Sequence, residues 1–195
     1  MELAPLPTCF ALFDTPIGRC ALVWRGGLIV GAALPEASDE ATRRTLGRRF
    51  PSASEAEPPE EVRPTLAAIG RLLSGEAEDI SHIAVDLSPL PEFERRVLEE
   101  TRRIPRGETR TYGELASALA APGAARAVGA ALGRNPAPII IPCHRVLAAD
   151  GRSGGFSAPG GAATKMKMLA IEGARRSSTA PELFERLPLA IRPLS

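Results

Sequence analysis

Residues 141–146 read Ile-Pro-Cys-His-Arg-Val, which sets a thiol, an imidazole and a guanidinium side by side after an apolar run. The chemistry such a triplet offers is attack by sulfur. A thiol is a poor nucleophile and a thiolate a good one, so the ionised fraction decides. With an ordinary pKa of about 8.5, only about 7% of a cysteine is ionised at pH 7.4, whereas at about 6.5 roughly 90% is. His144 and nearby arginines are expected to supply that shift. His144 would accept the proton through a water, because adjacent residues of an extended segment point to opposite sides. An acidic group should orient the imidazole. Glu172, at the end of Leu169-Ala170-Ile171-Glu172-Gly173, is the candidate. The plainer alternative is a buried thiol beside a surface His-Arg pair.

Several elements must position that sulfur. Asn135-Pro136-Ala137-Pro138 and the isoleucines 139–141 predict a rigid, extended, buried stretch, and Pro142 bars Ile141 from helical conformation. Upstream, Pro91 opens a helix to about Ile104 that carries Phe93, Val97 and Leu98 on one face. Thr111-x-x-Glu114 is a capping box before a helix over Tyr112–Ala120. A tight turn at Ala121-Pro122-Gly123 precedes a helix over Ala124–Leu132, completing a helix-turn-helix pattern. That last helix is almost entirely Ala, Gly and Val around a single Arg126. It suits either close packing against a neighbour or entry into a minor groove about 6 Å wide, with the arginine wedging into the base stack.

The first ninety residues have a different texture. Strands are expected over 10–13, 20–24 and 28–34, with turns at Thr15–Gly18 and Arg25–Gly27. Helices follow over about 38–50 and 64–73, separated by a polar, Pro-rich connector at 51–61, and His82–Leu87 reads as one more strand. Ser88-Pro89-Leu90-Pro91 marks a boundary. The expected fold class is α+β: a small amino-terminal β-sheet domain with helices (1–90), a mainly helical winged helix-turn-helix domain (91–176) and a carboxy-terminal tail (177–195).

Net charge is +1 over 195 residues, but residues 1–90 sum to −5 and residues 91–176 to +6, an asymmetry that points the second half at nucleic acid. No run approaches the roughly 20 apolar residues of a membrane span. Met1-Glu2-Leu3-Ala4-Pro5 lacks the basic lead and apolar core of a signal peptide, so a cytoplasmic protein is expected. Three cysteines (Cys9, Cys20 and Cys143) make an odd count without a repeating spacing, which argues for free thiols. Cys9 and Cys20 read as small core residues. With His82 they number three potential zinc ligands, one short of a closed structural site, so no metal is expected.

Ile141-Pro142-Cys143-His144-Arg145-Val146-Leu147 resembles the signature of the O6-alkylguanine-DNA alkyltransferases, also called methylated-DNA–protein-cysteine methyltransferases. The resemblance runs over about residues 91–173 and includes Tyr112, Arg126-Ala127-Val128-Gly129, Asn135-Pro136 and Ile171-Glu172-Gly173. It implies a ribonuclease-H-like amino-terminal domain and a monomer that needs no cofactor, metal or membrane. Its partner would be double-stranded DNA carrying alkylated guanine. The chain would take the alkyl group from O6-alkylguanine, and from O4-alkylthymine, onto Cys143 once and irreversibly, after flipping the base.

His144 would act through a water and Glu172 would hold it. Tyr112 would help rotate the nucleotide and protonate the departing guanine. Arg126 would fill the gap in the duplex, with Ala125, Ala127 and Gly129 on the same DNA-facing helix. Asn135 would brace the turn, Arg145 would be structural, and Val146, Phe156, Ser157 and Lys165 would belong to the substrate pocket. The sequence departs from the family pattern at Phe156, where tyrosine is frequent, and in a longer 157–163 loop. Two other readings compete. A cysteine hydrolase would need an oxyanion hole and a nearby histidine. A non-enzymatic winged helix-turn-helix damage sensor or regulator would have no use for Cys143.

Overall fold

The computed structural model describes residues 6–151, 153 and 159–174. β1 (Thr8–Phe13), β2 (Cys20–Arg25) and β3 (Leu28–Ala33) form an antiparallel meander. Gly26 and Gly27, with φ of 52° and 81°, supply the two left-handed residues that a two-residue hairpin between Arg25 and Leu28 requires. After α1 (Asp39–Arg49), which Ser38 caps, the short β4 (Ser54–Glu55) adds parallel to β1. The sheet order is β3-β2-β1-β4. Side chains alternate across a strand, so the sheet buries both faces. Leu22, Trp24 and Ile29 pack with Ile69 and Leu72 of α2 (Arg63–Leu73), while Val23 and Val30 pack with Leu46 of α1.

In the second half α3 (Glu92–Arg102), α4 (Tyr112–Ala118) and α5 (Ala125–Gly133) enclose a core of Val97, Leu98, Leu115, Val128 and Ala131. The capping box forms as expected: the Thr111 hydroxyl accepts from the Glu114 N–H, and the Glu114 carboxylate accepts from the Thr111 N–H. β5 (Arg110–Thr111) pairs with β6 (Val146–Leu147), and α6 (Gly161–Ile171) closes the described chain.

Packing does not stop at residue 91. Ala137, Ile139 and Ile140 are buried in the amino-terminal core beside Trp24 and Ile69, whereas Ile141 and Val146 belong to the helical core. The segment leading to Cys143 is therefore threaded between two cores.

Two expectations need correction. His82–Leu87 is no strand: only Val85 bridges to Ile29, and the side chains of Asp79 and Asp86 accept from the backbone N–H groups of Ser81 and Ser88 in turns on either side. The 51–61 connector contains β4, whose two residues are both exposed. Phe156, Ser157 and the 177–195 tail lie outside the described residues.

Candidate active site

The approach to the sulfur is held at both ends by one side chain. Asn135 Nδ2 donates to the Ile141 carbonyl at 2.9 Å, and Asn135 Oδ1 accepts from the Ala137 N–H at 3.0 Å. Between them the Ile141 N–H bonds back to the Ala137 carbonyl at 2.9 Å. Closing so tight a loop puts Ile139 at φ 79°, a region that β-branched residues avoid. Pro142 then leads into a single 3-10 turn, Cys143–Arg145. Cys143 is half-buried and faces a cleft of about 840 Å³, lined also by Tyr112, Gly129, Asn135, Pro138 and Pro159.

Behind the turn lies a buried charge cluster. His144 Nε2 and Glu172 Oε1 are 2.9 Å apart. Arg145 donates to both carboxylate oxygens, at 2.9 and 2.8 Å, and to the Ile104 carbonyl at 2.6 Å. Burial pushes the Glu172 carboxyl up, but His144 and Arg145 outweigh it and hold the group down to about 2. Burial lowers His144 despite the carboxylate beside it, leaving a neutral ring. With Nε2–H turned to Glu172, the other nitrogen, Nδ1, is buried with no partner among the described residues and is left as a proton acceptor.

The sulfur itself departs from expectation. Burial raises the Cys143 thiol above the ordinary range. The groups opposing that rise are the Asn135 side chain, the Lys165 charge and the backbone N–H groups of Cys143 and His144, not the His144 imidazole or the arginines. Lys165 is completely buried. Its ammonium donates to the carbonyls of Val146 and Ser153 and lies 5.8 Å from the Tyr112 ring centroid. Burial brings it down to about 8, against the pull of Cys143. Tyr112, the first residue of α4, is raised by burial and by Cys143.

The methylated-DNA–protein-cysteine methyltransferase of Mycolicibacterium paratuberculosis is 37% identical over 172 residues, covering 88% of this chain and 96% of that protein. This chain belongs to the same family. The family model "6-O-methylguanine DNA methyltransferase, DNA binding domain" matches residues 92–174. The crystal structure of Mycobacterium tuberculosis OGT in complex with DNA superposes with a TM-score of 0.70 at 33% identity, covering 85% of this chain and 92% of that one. The O6-methylguanine-DNA methyltransferase from Pyrococcus kodakaraensis gives 0.64 at 30% identity, covering 85% and 99%.

In this methyltransferase-family chain Cys143, Asn135, Tyr112 and Gly129 meet at one cleft, with His144, Glu172 and Arg145 behind it. α5 buries Val128, Ala131 and Leu132 and exposes Arg126, Ala127 and Ala130, with Ala125 half-buried. Gly129 sits against Tyr112, where a Cβ would come 3.7 Å from the ring. Val146 and Lys165, expected in the substrate pocket, are both buried and are not among the residues that line the cleft. Among the described residues, Cys9, Cys20 and His82 included, no three His, Cys, Asp or Glu side chains are grouped so as to hold a metal ion. Buried Cys20 is pushed up to about 11, with the Thr15 hydroxyl 3.6 Å from its sulfur. No described helix is long and apolar enough to cross a membrane.

Sequence reasoning missed two arginines. Arg106 Nη2 donates to the carbonyls of Gly75 and Ile171, where α2 and α6 end, and favours both helix dipoles. Arg49 ties α1 to the Asn135 turn.

Proposed function

We propose that the chain repairs DNA by moving the alkyl group of O6-alkylguanine, and of O4-alkylthymine, onto Cys143 Sγ, once per molecule. The observation that carries this reading is a half-buried sulfur on an open cleft, one residue from a buried imidazole whose free nitrogen can take its proton. Guanine O6 lies on the major-groove edge of a stacked base, out of reach of a protein pressed on the minor groove unless the base leaves the stack. The exposed Ala127 and Ala130 of α5 offer a low surface for that groove, and Arg126 occupies the vacated place.

With the nucleotide in the cleft, the Cys143 proton passes through a water to His144 Nδ1, and Glu172 stabilises the imidazolium. The sulfur electron pair forms a bond to the alkyl carbon, the carbon–oxygen bond breaks, and its electrons go to the base. Tyr112 supplies a proton to the guanine and is reprotonated from His144 through solvent. The product is a thioether and an ordinary guanine. A monomer in the cytoplasm, acting on duplex DNA without cofactor or metal, completes the proposal.

The test is to incubate the protein with duplex DNA carrying O6-methylguanine and weigh the Cys143 peptide. One added methylene per molecule is expected, with turnover ceasing after one equivalent. Cys143→Ser should abolish transfer and retain DNA affinity. Multiple turnovers, or repaired DNA beside an unmodified peptide, would defeat the reading.

A further inference from the structure

We propose that Arg49, in the amino-terminal half, is a positioning residue for alkyl transfer, acting on the acceptor through the Pro136 carbonyl. This rests on the reading of Cys143 as the acceptor. Arg49 is the last residue of α1, and its guanidinium lies 5.3 Å from the Phe50 ring centroid. Nη1 donates to the Ala32 carbonyl at 3.1 Å, and Nη2 donates to the Pro136 carbonyl at 2.7 Å. That same Pro136 oxygen accepts from the Ala32 N–H at 2.9 Å. The neighbouring residue on β3 is Gly31, where a Cβ would run into the Phe50 ring and stand 3.2 Å from the Pro136 oxygen, so a side chain there would crowd both. A carbonyl has two lone pairs, and the amino-terminal half occupies both.

The place of that oxygen gives the contact its consequence. Pro136 follows Asn135, the residue that binds the Ile141 carbonyl and lines the cleft together with Cys143. From Pro136 to Cys143 the chain has little slack. Pro136, Pro138 and Pro142 fix φ at three positions, and Ile139 is held left-handed with its side chain in the amino-terminal core. A strained segment persists only where its surroundings over-determine it. Here the surroundings are the β3 edge, Arg49 and that core. Removing the guanidinium lets the Asn135–Pro136 corner shift, and Asn135 and the sulfur move with it relative to Tyr112.

Arg48 and Arg49 also line the cleft, so a direct contact with DNA phosphate is the rival account. The experiment compares full-length Arg49→Met, Arg49→Lys and a control on the same helix, Arg43→Met, which breaks the ion pair of Arg43 with Glu55 of β4. Each is followed by the mass of the Cys143 peptide, with free O6-methylguanine base and with methylated duplex over a range of concentrations. DNA affinity is measured separately.

Arg49→Met is expected to lower the maximal rate on both substrates by on the order of 10- to 100-fold, the scale of a misplaced reacting group. Half-saturation and duplex affinity should stay near wild type, Arg49→Lys should recover part of the rate, and Arg43→Met should match wild type. An unchanged Arg49→Met rate overturns the proposal. So does a loss confined to duplex and accounted for by lost affinity, or an equal loss in Arg43→Met. If the wild-type peptide gains no mass at all, it is the acceptor assignment for Cys143 that falls.

Discussion

Glu172 keeps its charge inside the protein because Arg145 and His144 surround it, and that bargain has a pH signature. The folded carboxyl lies at about 2, against an ordinary value of 4.5. A carboxyl lowered by folding adds stability above its unfolded pKa and loses it as pH falls through the folded one. The contribution, on the order of 3 kcal/mol, is present above about pH 4.5 and gone near pH 2. Glu172→Gln strands the buried Arg145 guanidinium and should cost about 3–5 kcal/mol at neutral pH. Urea titrations at pH 6 and pH 3 should show wild type losing most of this increment, about 2 kcal/mol, and the variant not. At this scale residue types announced much of the site, since Cys143, His144 and Glu172 are chemically distinctive. Arg49 and Arg106 were silent: arginine is common in this chain, and their partners are backbone carbonyls, which no residue type reveals.

α5 is the element whose composition is hardest to explain by stability alone. Its buried residues, Val128, Ala131 and Leu132, are ordinary, while its exposed face sets Ala127 and Ala130 around a single Arg126, where a solvated helix usually carries several long charged side chains. Arg126→Ala should therefore change stability by no more than about 0.5 kcal/mol. It should slow repair in duplex, where extrusion costs a few kcal/mol, without slowing reaction with free base. Equal slowing of both would remove the wedge role. The long elements were legible through periodicity and capping, as Ser38 and Thr111 illustrate. β4 was not, because two exposed polar residues carry no alternation. His82–Leu87 misled because its apolar residues serve a turn-rich link of which only Val85 reaches the sheet.

For the whole molecule, the shared packing of residues 137–141 predicts one unfolding event. Trp24, the single tryptophan, reports the amino-terminal core, and Cys143 reports the helical half. Tryptophan fluorescence and alkylation of Cys143, followed by the mass of its own peptide, should trace coincident urea curves, the signature of two-state behaviour. Separated midpoints would mean that the halves fold independently, contrary to the burial of Ile139 and Ile140. The seam also contains its own clock. The Ala32 amide proton is engaged by the Pro136 oxygen, so deuterium can replace it only when the two halves part. Its exchange rate measures how often the acceptor is momentarily released from its frame, a breathing motion that no static distance reports.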